Sequence, residues 1–218
     1  MPRLISENAV LKAKKLGRQT VIIEQNTIIT PLAREAAAHH GIQFELASAQ
    51  EDQTHQSAPL PPPQFKKSAL AIGSDHGGFE MKQILIDFLQ SKSFQVEDVG
   101  CYSADSVDYP DIAQAVAEKV AQGQTQAGII VDGVGVGSAM AANKVPGVRA
   151  ACCNDLFSAA NSREHNGANV LTLGGRLIGD ELAKKIVMTW LYTDFGGGRH
   201  AKRVAKIDQI DLKYKKSR

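Results

Sequence analysis

The sequence has few of the features that mark membrane, secreted or metal-binding proteins. Its 218 residues include three cysteines, and no apolar run approaches the roughly 18–20 residues needed to cross a bilayer. The first ten residues, MPRLISENAV, have no apolar core of a secretory signal. Because the cysteine count is odd and two cysteines are adjacent, we expect no disulfide framework and place the protein in a reducing cytoplasm.

The chain also lacks a strong charge of either sign. Its formal net charge is +2, which gives no reason to expect nucleic acid or a membrane surface as a partner. It contains no CxxC or HxxxH pair, so we expect no metal site. Hydrophobic residues make up 43% and charged residues 22%, as in ordinary globular proteins.

Aliphatic residues become scarce between residues 48 and 67, a stretch that contains four prolines and many polar residues. This composition predicts a linker that is extended and stiff at Pro61–Pro63. The linker divides the chain into a small N-terminal module, residues 1–47, and a larger domain, residues 68–218.

The N-terminal module is predicted to be a small α/β unit. Its α-β-α-β pattern covers residues 6–16, 20–24, 31–40 and 42–46. Thr30 and Pro31 form a good helix start, and Gly41 a good helix end. So short a unit buries little surface alone, so we expect it to dock on other structure or on a partner.

The larger domain alternates strands and helices. The predicted strands cover residues 68–73, 94–99, 127–131, 148–152 and 170–173. The predicted helices cover residues 78–91, 110–121, 138–144, 156–164, 180–193 and 199–214. This alternation predicts an α/β fold with a doubly wound, parallel, five-stranded sheet.

A glycine-rich loop, Asp132 to Ser138, follows the third predicted strand of this sheet, where ligands of open α/β sheets bind. Backbone N–H groups near Gly133, Gly135 and Gly137 could hold a small oxyanion. A dinucleotide fingerprint fits poorly, because the spacing is GxGxG and the loop does not follow the first strand. The remaining alternative is a tight turn without a ligand.

Two further clusters of polar residues suggest binding. Asp75 and His76 follow the first strand of the larger domain, where the alternative is a helix-capping aspartate beside a surface histidine. Arg199 and Arg203 lie four residues apart near His200, so both arginines could grip one phosphate. The alternative for this second cluster is a solvated basic face.

Six collinear motifs carry a family resemblance across residues 69–208. They are GSDHGGFEMKQ, VEDVG, DYPDIA, GVGSAMAANKVPGVRAA, REHNGANVLTLGGR and GGRHAKRVAKI. Together they resemble ribose-5-phosphate isomerase B and the related galactose-6-phosphate isomerase subunits. The first 67 residues lie outside this resemblance.

The resemblance implies a Rossmann-like sheet in a homodimer or homotetramer, with each active site between two subunits and no metal or organic cofactor. It implies a phosphorylated sugar as substrate. His165 would help to open the sugar ring, Asn166 would bind a sugar oxygen and Asn143 would contact the sugar. The implied substrate-binding and phosphate-binding residues are Asp75, His76, Gly133, Gly135, Gly137, Asn143, Asn166, Arg199, His200 and Arg203.

The sequence departs from the family at the catalytic base. Many members have a cysteine in a CGTGxG motif where this chain has Asp132, and the threonine is replaced by Val134. Another branch uses a glutamate at the position of Ser138, which cannot act as a base. Asp132 is therefore the expected substitute, since a carboxylate can move a proton between two carbons through an enediolate. Partial burial at a strand end would strengthen this otherwise weak base.

Three functions stay open at this point. The first is an active aldose–ketose isomerase of ribose 5-phosphate or a related tetrose, pentose or hexose phosphate, with Asp132 and His165 as catalytic residues. The second is a non-catalytic phosphosugar-binding or regulatory protein, suggested by the changes at positions 132 and 134. The third is a sugar-phosphate epimerase.

The N-terminal module allows two interpretations. Its segment IITPLAREAAAHHGI, residues 28–42, resembles N-terminal pieces on enzymes of bacterial microcompartments, which implies association with such a compartment. The alternative is an appendage with a packing role. Deletion of residues 1–67 separates the two: lost localisation with unchanged turnover supports targeting, whereas aggregation or lost turnover supports packing.

Overall fold

The computed structural model describes residues 4–24, 27–46 and 69–215, in two compact units that divide between Pro59 and Leu60. The predicted linker, residues 48–67, lies outside the described residues. Among the three described ranges, no helix is both long enough and apolar enough to cross a lipid bilayer.

The N-terminal unit contains two pairs of short parallel strands and two helices. They run in the order β1 (Leu4–Ile5), α1 (Glu7–Lys15), β2 (Thr20–Ile23), β3 (Ile28–Ile29), α2 (Pro31–His40) and β4 (Gln43–Leu46). Strand β1 pairs with β3, and β2 pairs with β4. The sequence did not predict β1 and β3, because two residues are too few to show an alternating pattern.

Helix α2 begins and ends where its sequence predicts. The Thr30 hydroxyl accepts a hydrogen bond from the Ala33 N–H at 3.0 Å, and Pro31 occupies the first helical position. Gly41 ends the helix with φ of 65°, a left-handed conformation that glycine adopts readily. The small core of this unit is mostly alanine, with Ile5, Val10 and Ile42 as its larger members.

The larger unit contains the predicted five strands, flanked by helices. Its strands are β5 (Ala69–Ser74), β6 (Gln95–Gly100), β7 (Ala127–Asp132), β8 (Ala150–Cys152) and β9 (Val170–Gly174). Its helices are α3 (Phe79–Ser91), α4 (Tyr109–Ala121), α5 (Val136–Ala142), α6 (Leu156–Glu164), α7 (Asp180–Tyr192) and α8 (Gly198–Lys215).

All five strands are parallel, in the spatial order β6-β5-β7-β9-β8. This arrangement confirms the predicted doubly wound α/β fold. After β5 the chain moves outward to β6 and then crosses to β7 on the other side of β5. A crevice therefore opens between the carboxyl ends of β5 and β7, the place where open α/β sheets bind ligands.

Both faces of the sheet are buried by helices. In β7, Ile129 packs into a core with Leu85 of α3 and Trp190 of α7, while Ile130 packs into a second core with Val116 of α4. Because both faces are covered, the strands read as continuous apolar runs rather than alternating ones.

A buried lysine fixes the loop that leads from β6 to α4. The Lys82 side chain is fully buried, and its Nζ lies 2.7 Å from both carboxylate oxygens of Asp98. Nζ also donates to the Cys101 carbonyl oxygen at 2.6 Å. These bonds join α3 to the end of β6, so the loop beyond Cys101 leaves the sheet in a defined direction.

We expect Lys82→Met to lower the free energy of unfolding by about 2–4 kcal/mol, because it leaves a half-buried carboxylate and a carbonyl without their donor. Urea unfolding followed by the fluorescence of Trp190, the single, fully buried tryptophan of this unit, measures the change.

Lys119→Met provides the matched control. Its ion pair with Glu97 has the same 2.7 Å distance but lies on the surface, so its loss should cost less than about 1 kcal/mol. Equal effects of the two substitutions would contradict the structural role given to Lys82.

Candidate active site

Two aspartates lie beside each other at the crevice between β5 and β7. Asp132 is the last residue of β7, and Asp75 follows the last residue of β5. The Asp75 N–H donates to the Val131 carbonyl at 3.2 Å, which places the two acids on adjacent strand ends. Both are buried, with Asp132 only 4% exposed.

The Asp132 carboxylate binds the backbone of its own glycine loop. Oδ1 accepts hydrogen bonds from the Val134 N–H at 2.8 Å and from the Gly135 N–H. Oδ2 accepts one from the Ser138 N–H at 2.9 Å. The loop amides that the sequence suggested for a substrate oxyanion are therefore partly occupied by this carboxylate.

The loop reaches this shape because its glycines permit close contacts. Gly135 has φ of 82°, and a Cβ there would lie 2.9 Å from the Cys152 sulfur. A Cβ at Gly137 would lie 2.7 Å from the Tyr109 ring. The Thr172 hydroxyl donates to the Gly135 carbonyl at 2.6 Å and ties the loop to β9. Larger residues at either glycine would push the loop away from the sheet.

The dinucleotide alternative fits this loop poorly in structure as well as in sequence. A pyrophosphate bound at a glycine loop needs free backbone N–H groups at the start of the following helix. Here Asp132 takes the N–H groups of Val134, Gly135 and Ser138. A second anion would have to displace a buried carboxylate.

Asp75 caps the turn that follows β5, and His76 lies exposed beside it. Asp75 Oδ1 accepts a hydrogen bond from the Gly78 N–H at 2.9 Å, which closes the turn. Helix α3 has Gly78 as its N-cap and no side-chain capping bond, so the helix-capping alternative is wrong. His76 Nδ1 accepts a long hydrogen bond, 3.4 Å, from the Val107 N–H.

Arg176, which was not among the residues predicted for the site, also lies at this crevice. The Arg176 backbone N–H donates to the Gly133 carbonyl at 3.1 Å. A Cβ at Gly77 would lie 3.4 Å from Arg176 Nε and 3.3 Å from Asp75 Oδ1, so the guanidinium flanks the turn after β5. The sequence contained a sign of this position, because Arg176 closely follows β9 within the motif LGGR.

Cys152 brings a thiol to the underside of the glycine loop. Its sulfur lies 3.6 Å from the Val134 carbonyl and packs against Gly135. Burial raises the pKa of this thiol, and the nearby Asp132 carboxylate adds to the rise. The thiol is therefore protonated at neutral pH.

His165 and Asn166 lie at the opposite, amino-terminal edge of the sheet. Helix α6 starts after the carboxyl end of β8 and returns the chain to the start of β9, so its last residues lie at that edge. Asn169 just beyond them accepts from the Arg149 N–H at 2.7 Å, immediately before β8. A six-residue strand such as β7 spans about 17 Å, which separates these residues from Asp132.

The remaining basic residues join His165 at the amino-terminal edge. The Gly196 N–H donates to the Glu164 carbonyl at 2.8 Å, and the rings of His165 and His200 stack in parallel with centroids 4.2 Å apart. Arg199 and Arg203 are exposed on the first turns of α8. Asn161 Nδ2 lies 2.8 Å from His165 Nδ1 and fixes that ring.

Asn143 also lies at the amino-terminal edge, but its polar atoms bind the backbone. Its Nδ2 donates to the carbonyls of Ala139 and Ala150, each at 2.9 Å. Its Oδ1 accepts from the Ala150 N–H at 2.8 Å. The side chain thus joins the end of α5 to the start of β8. Asn143 and Asn166 both line an open cavity of about 950 Å³ beside α8.

The structure therefore divides the sequence-predicted residues between two edges of one sheet. Those at the carboxyl edge are Asp75, His76, Asp132, Gly133, Gly135 and Gly137. Those at the amino edge are Asn143, His165, Asn166, Arg199, His200 and Arg203. Within one larger unit, neither group can reach the other.

Comparison with known proteins gives the family. The model of the family described as "Ribose/Galactose Isomerase" matches residues 70–207. Ribose-5-phosphate isomerase B of Escherichia coli is 44% identical over 142 residues, which cover 65% of this chain and 95% of that protein. The D-erythrulose-4-phosphate isomerase of Pectobacterium atrosepticum is 43% identical over 143 residues, 64% of this chain and 92% of that protein.

A solved structure has the same fold as the larger unit. Ribose-5-phosphate isomerase B of Clostridium thermocellum is 51% identical, with a TM-score of 0.66, and the match covers 67% of this chain and 99% of that chain. The family match extends over most of the larger unit, and the chain therefore belongs to the ribose/galactose isomerase family.

Proposed function

We propose that this chain is an aldose–ketose isomerase of a phosphorylated sugar, with Asp132 as the base. The observation that carries the proposal is the position of Asp132, whose buried carboxylate is fixed at the carboxyl end of β7 in the crevice. The relatives named above are isomerases of ribose 5-phosphate and erythrulose 4-phosphate, so the substrate class is a short-chain sugar phosphate.

The proposed reaction moves one proton between neighbouring carbons. Asp132 removes a proton from the carbon next to the carbonyl, and the C–H electron pair forms the C=C bond of an enediolate while the carbonyl oxygen becomes an oxyanion. The proton of the neighbouring hydroxyl passes to that oxyanion, and Asp132 returns the carbon-bound proton to the former carbonyl carbon, so the neighbouring carbon becomes the new carbonyl. Oδ2 suits this role better than Oδ1, because it accepts one N–H bond rather than two.

The Cys152 thiol is a poor alternative to Asp132 as the base. Its sulfur lies beneath the loop, and burial raises the pKa of the thiol, so little thiolate exists at neutral pH. The Asp132 carboxylate, in contrast, is held at the end of β7 by three backbone N–H donors.

The proposed active site needs two copies of the chain. The carboxyl edge of one copy would supply Asp132, Asp75 and His76, and Arg176 would help to hold the anionic substrate. The amino edge of the second copy would supply His165 and Asn166 for ring opening and sugar binding. Arg199, His200 and Arg203 of the second copy would grip the phosphate, since two arginines one turn apart suit an anion.

One observation favours a second candidate, a phosphosugar-binding protein without catalysis. Three backbone N–H groups bind the Asp132 carboxylate, so fewer of its lone pairs are available to accept a proton from a substrate carbon. Such a protein would keep the arginines and the histidines and bind the same ligands without proton transfer.

Proton exchange from deuterated water into a panel of four-, five- and six-carbon sugar phosphates separates the two candidates. We expect exchange into a carbon next to the carbonyl for at least one substrate, and a loss of about 10²- to 10⁴-fold in Asp132→Asn. Asparagine cannot take the proton, and its single amide oxygen can still accept the Val134 and Gly135 N–H bonds in the place of Oδ1, although the Ser138 N–H loses its acceptor.

Cys152→Ser is the control and should retain the wild-type exchange rate. Binding without exchange in the wild-type protein would contradict the isomerase proposal. Exchange that survives Asp132→Asn but disappears in Cys152→Ser would identify the Cys152 thiol, rather than Asp132, as the base. Formation of a carbon-inverted aldose rather than a ketose would indicate an epimerase.

Mixed assemblies test the two-copy site. Asp132→Asn and the double variant Arg199→Ala/Arg203→Ala should each be inactive alone, whereas co-expression of the two should restore about one quarter of wild-type turnover. Half of the dimers formed at random are mixed, and each mixed dimer has one intact site out of two. A site built within a single copy would leave the mixture as inactive as its components.

A further inference from the structure

The Thr172 hydroxyl holds the glycine loop from the side opposite to the crevice. Thr172 is fully buried in β9, and its Oγ1 donates to the Gly135 carbonyl at 2.6 Å. Strand β9 lies beside β7 on one side, whereas β5 lies beside it on the other. The bond therefore anchors the loop without occupying the crevice between β5 and β7.

The Gly135 carbonyl is also the first acceptor of helix α5. Gly135 is the N-cap of α5, and its carbonyl accepts the Ala139 N–H bond at 3.3 Å. That distance is long for an N–H donor, whereas 2.6 Å is short for a hydroxyl donor, so Thr172 makes the firmer contact. Packing against the Leu173 backbone prevents movement of Gly135 towards the sheet, and the Thr172 bond opposes movement away from it.

Two of the three donors to Asp132 belong to the segment that Thr172 anchors. The Gly135 N–H binds Asp132 Oδ1, and the Ser138 N–H, on the first turn of α5, binds Oδ2 at 2.9 Å. A shift of Gly135 away from β9 would move both donors and would loosen the carboxylate at both of its oxygens. The position of Asp132 is thus linked to Thr172 through the loop backbone.

We propose that Thr172 is a positioning residue for the base: its hydroxyl holds Gly135, and the N–H groups of Gly135 and Ser138 in turn hold Asp132 where it takes the substrate proton. This inference rests on the proposed function. Thr172 acts on proton transfer rather than on substrate affinity, because the phosphate grip belongs to α8 of the second copy in that proposal. A small displacement of a catalytic group lowers the rate of the step that it performs.

Thr172→Val tests the proposal in the full-length protein, since it removes the hydroxyl at almost unchanged volume. We expect kcat for isomerisation to fall about 3- to 10-fold, the effect of one hydrogen bond, with KM unchanged. Thr172→Ser keeps the hydroxyl and should restore most of the rate. A loss that Thr172→Ser does not restore, or a raised KM at unchanged kcat, would contradict the proposal.

A double variant shows whether Thr172 acts through Asp132. The proton-exchange rate of Asp132→Asn should be the same with and without Thr172→Val, because a residue that positions the base has no effect once the base is gone. Losses that multiply in the double variant would mean that Thr172 acts independently of Asp132, and the inference would be wrong.

Thr125→Val is the matched control, because it makes the same substitution at another buried site. Thr125 is 3% exposed and precedes β7, so it lies at the opposite edge of the sheet from Asp132. It should leave kcat unchanged. If the wild type isomerises and Thr172→Val behaves like Thr125→Val, this inference is wrong while the proposed function stands. If the wild type exchanges no proton with any sugar phosphate, both are wrong.

Discussion

The direction in which each helix returns the chain decides where chemistry can occur in this protein. In a parallel sheet every strand runs the same way, so each connecting helix must carry the chain back across the full length of the sheet. Residues that follow strands collect at one edge, and residues that follow helices collect at the other. Asp132 belongs to the first group and His165 to the second, about 17 Å apart along the strands. The proposed two-copy site is a consequence of this constraint.

Much of the fold could be predicted from the sequence because local patterns are strong in a sheet covered on both faces. The apolar runs at Ala69–Ser74 and Ala127–Asp132 have the length of buried strands, and Thr30 with Pro31 marks a helix start. Helix α5 begins at Val136, two residues before the predicted start at 138. The difference arises because Gly135, in its left-handed conformation, lets the helix start inside the glycine run.

The residues of the site could be predicted from the sequence, but their positions relative to one another could not. The motifs pointed to Asp132, His165 and Arg199, yet a linear sequence gives no sign of which sheet edge each one occupies. The bonds from the loop amides to Asp132 were equally hidden, because they depend on the backbone conformation at Gly135 and on the side-chain rotamer of Asp132. Asn143 had the residue type of a sugar ligand, but its amide group binds the Ala150 backbone, a contact that only the fold brings about.

The hold of Asp132 on the glycine loop also bears on the entropy of ligand binding. A glycine-rich loop without internal contacts would sample many conformations and would lose that freedom on each binding event, at about 1–2 kcal/mol per residue ordered. Here the carboxylate, the Thr172 hydroxyl and the Tyr109 ring already hold Gly135 and Gly137 in one shape. The ordering of this loop is thus part of folding rather than of catalysis, and a ligand meets a surface that is already rigid.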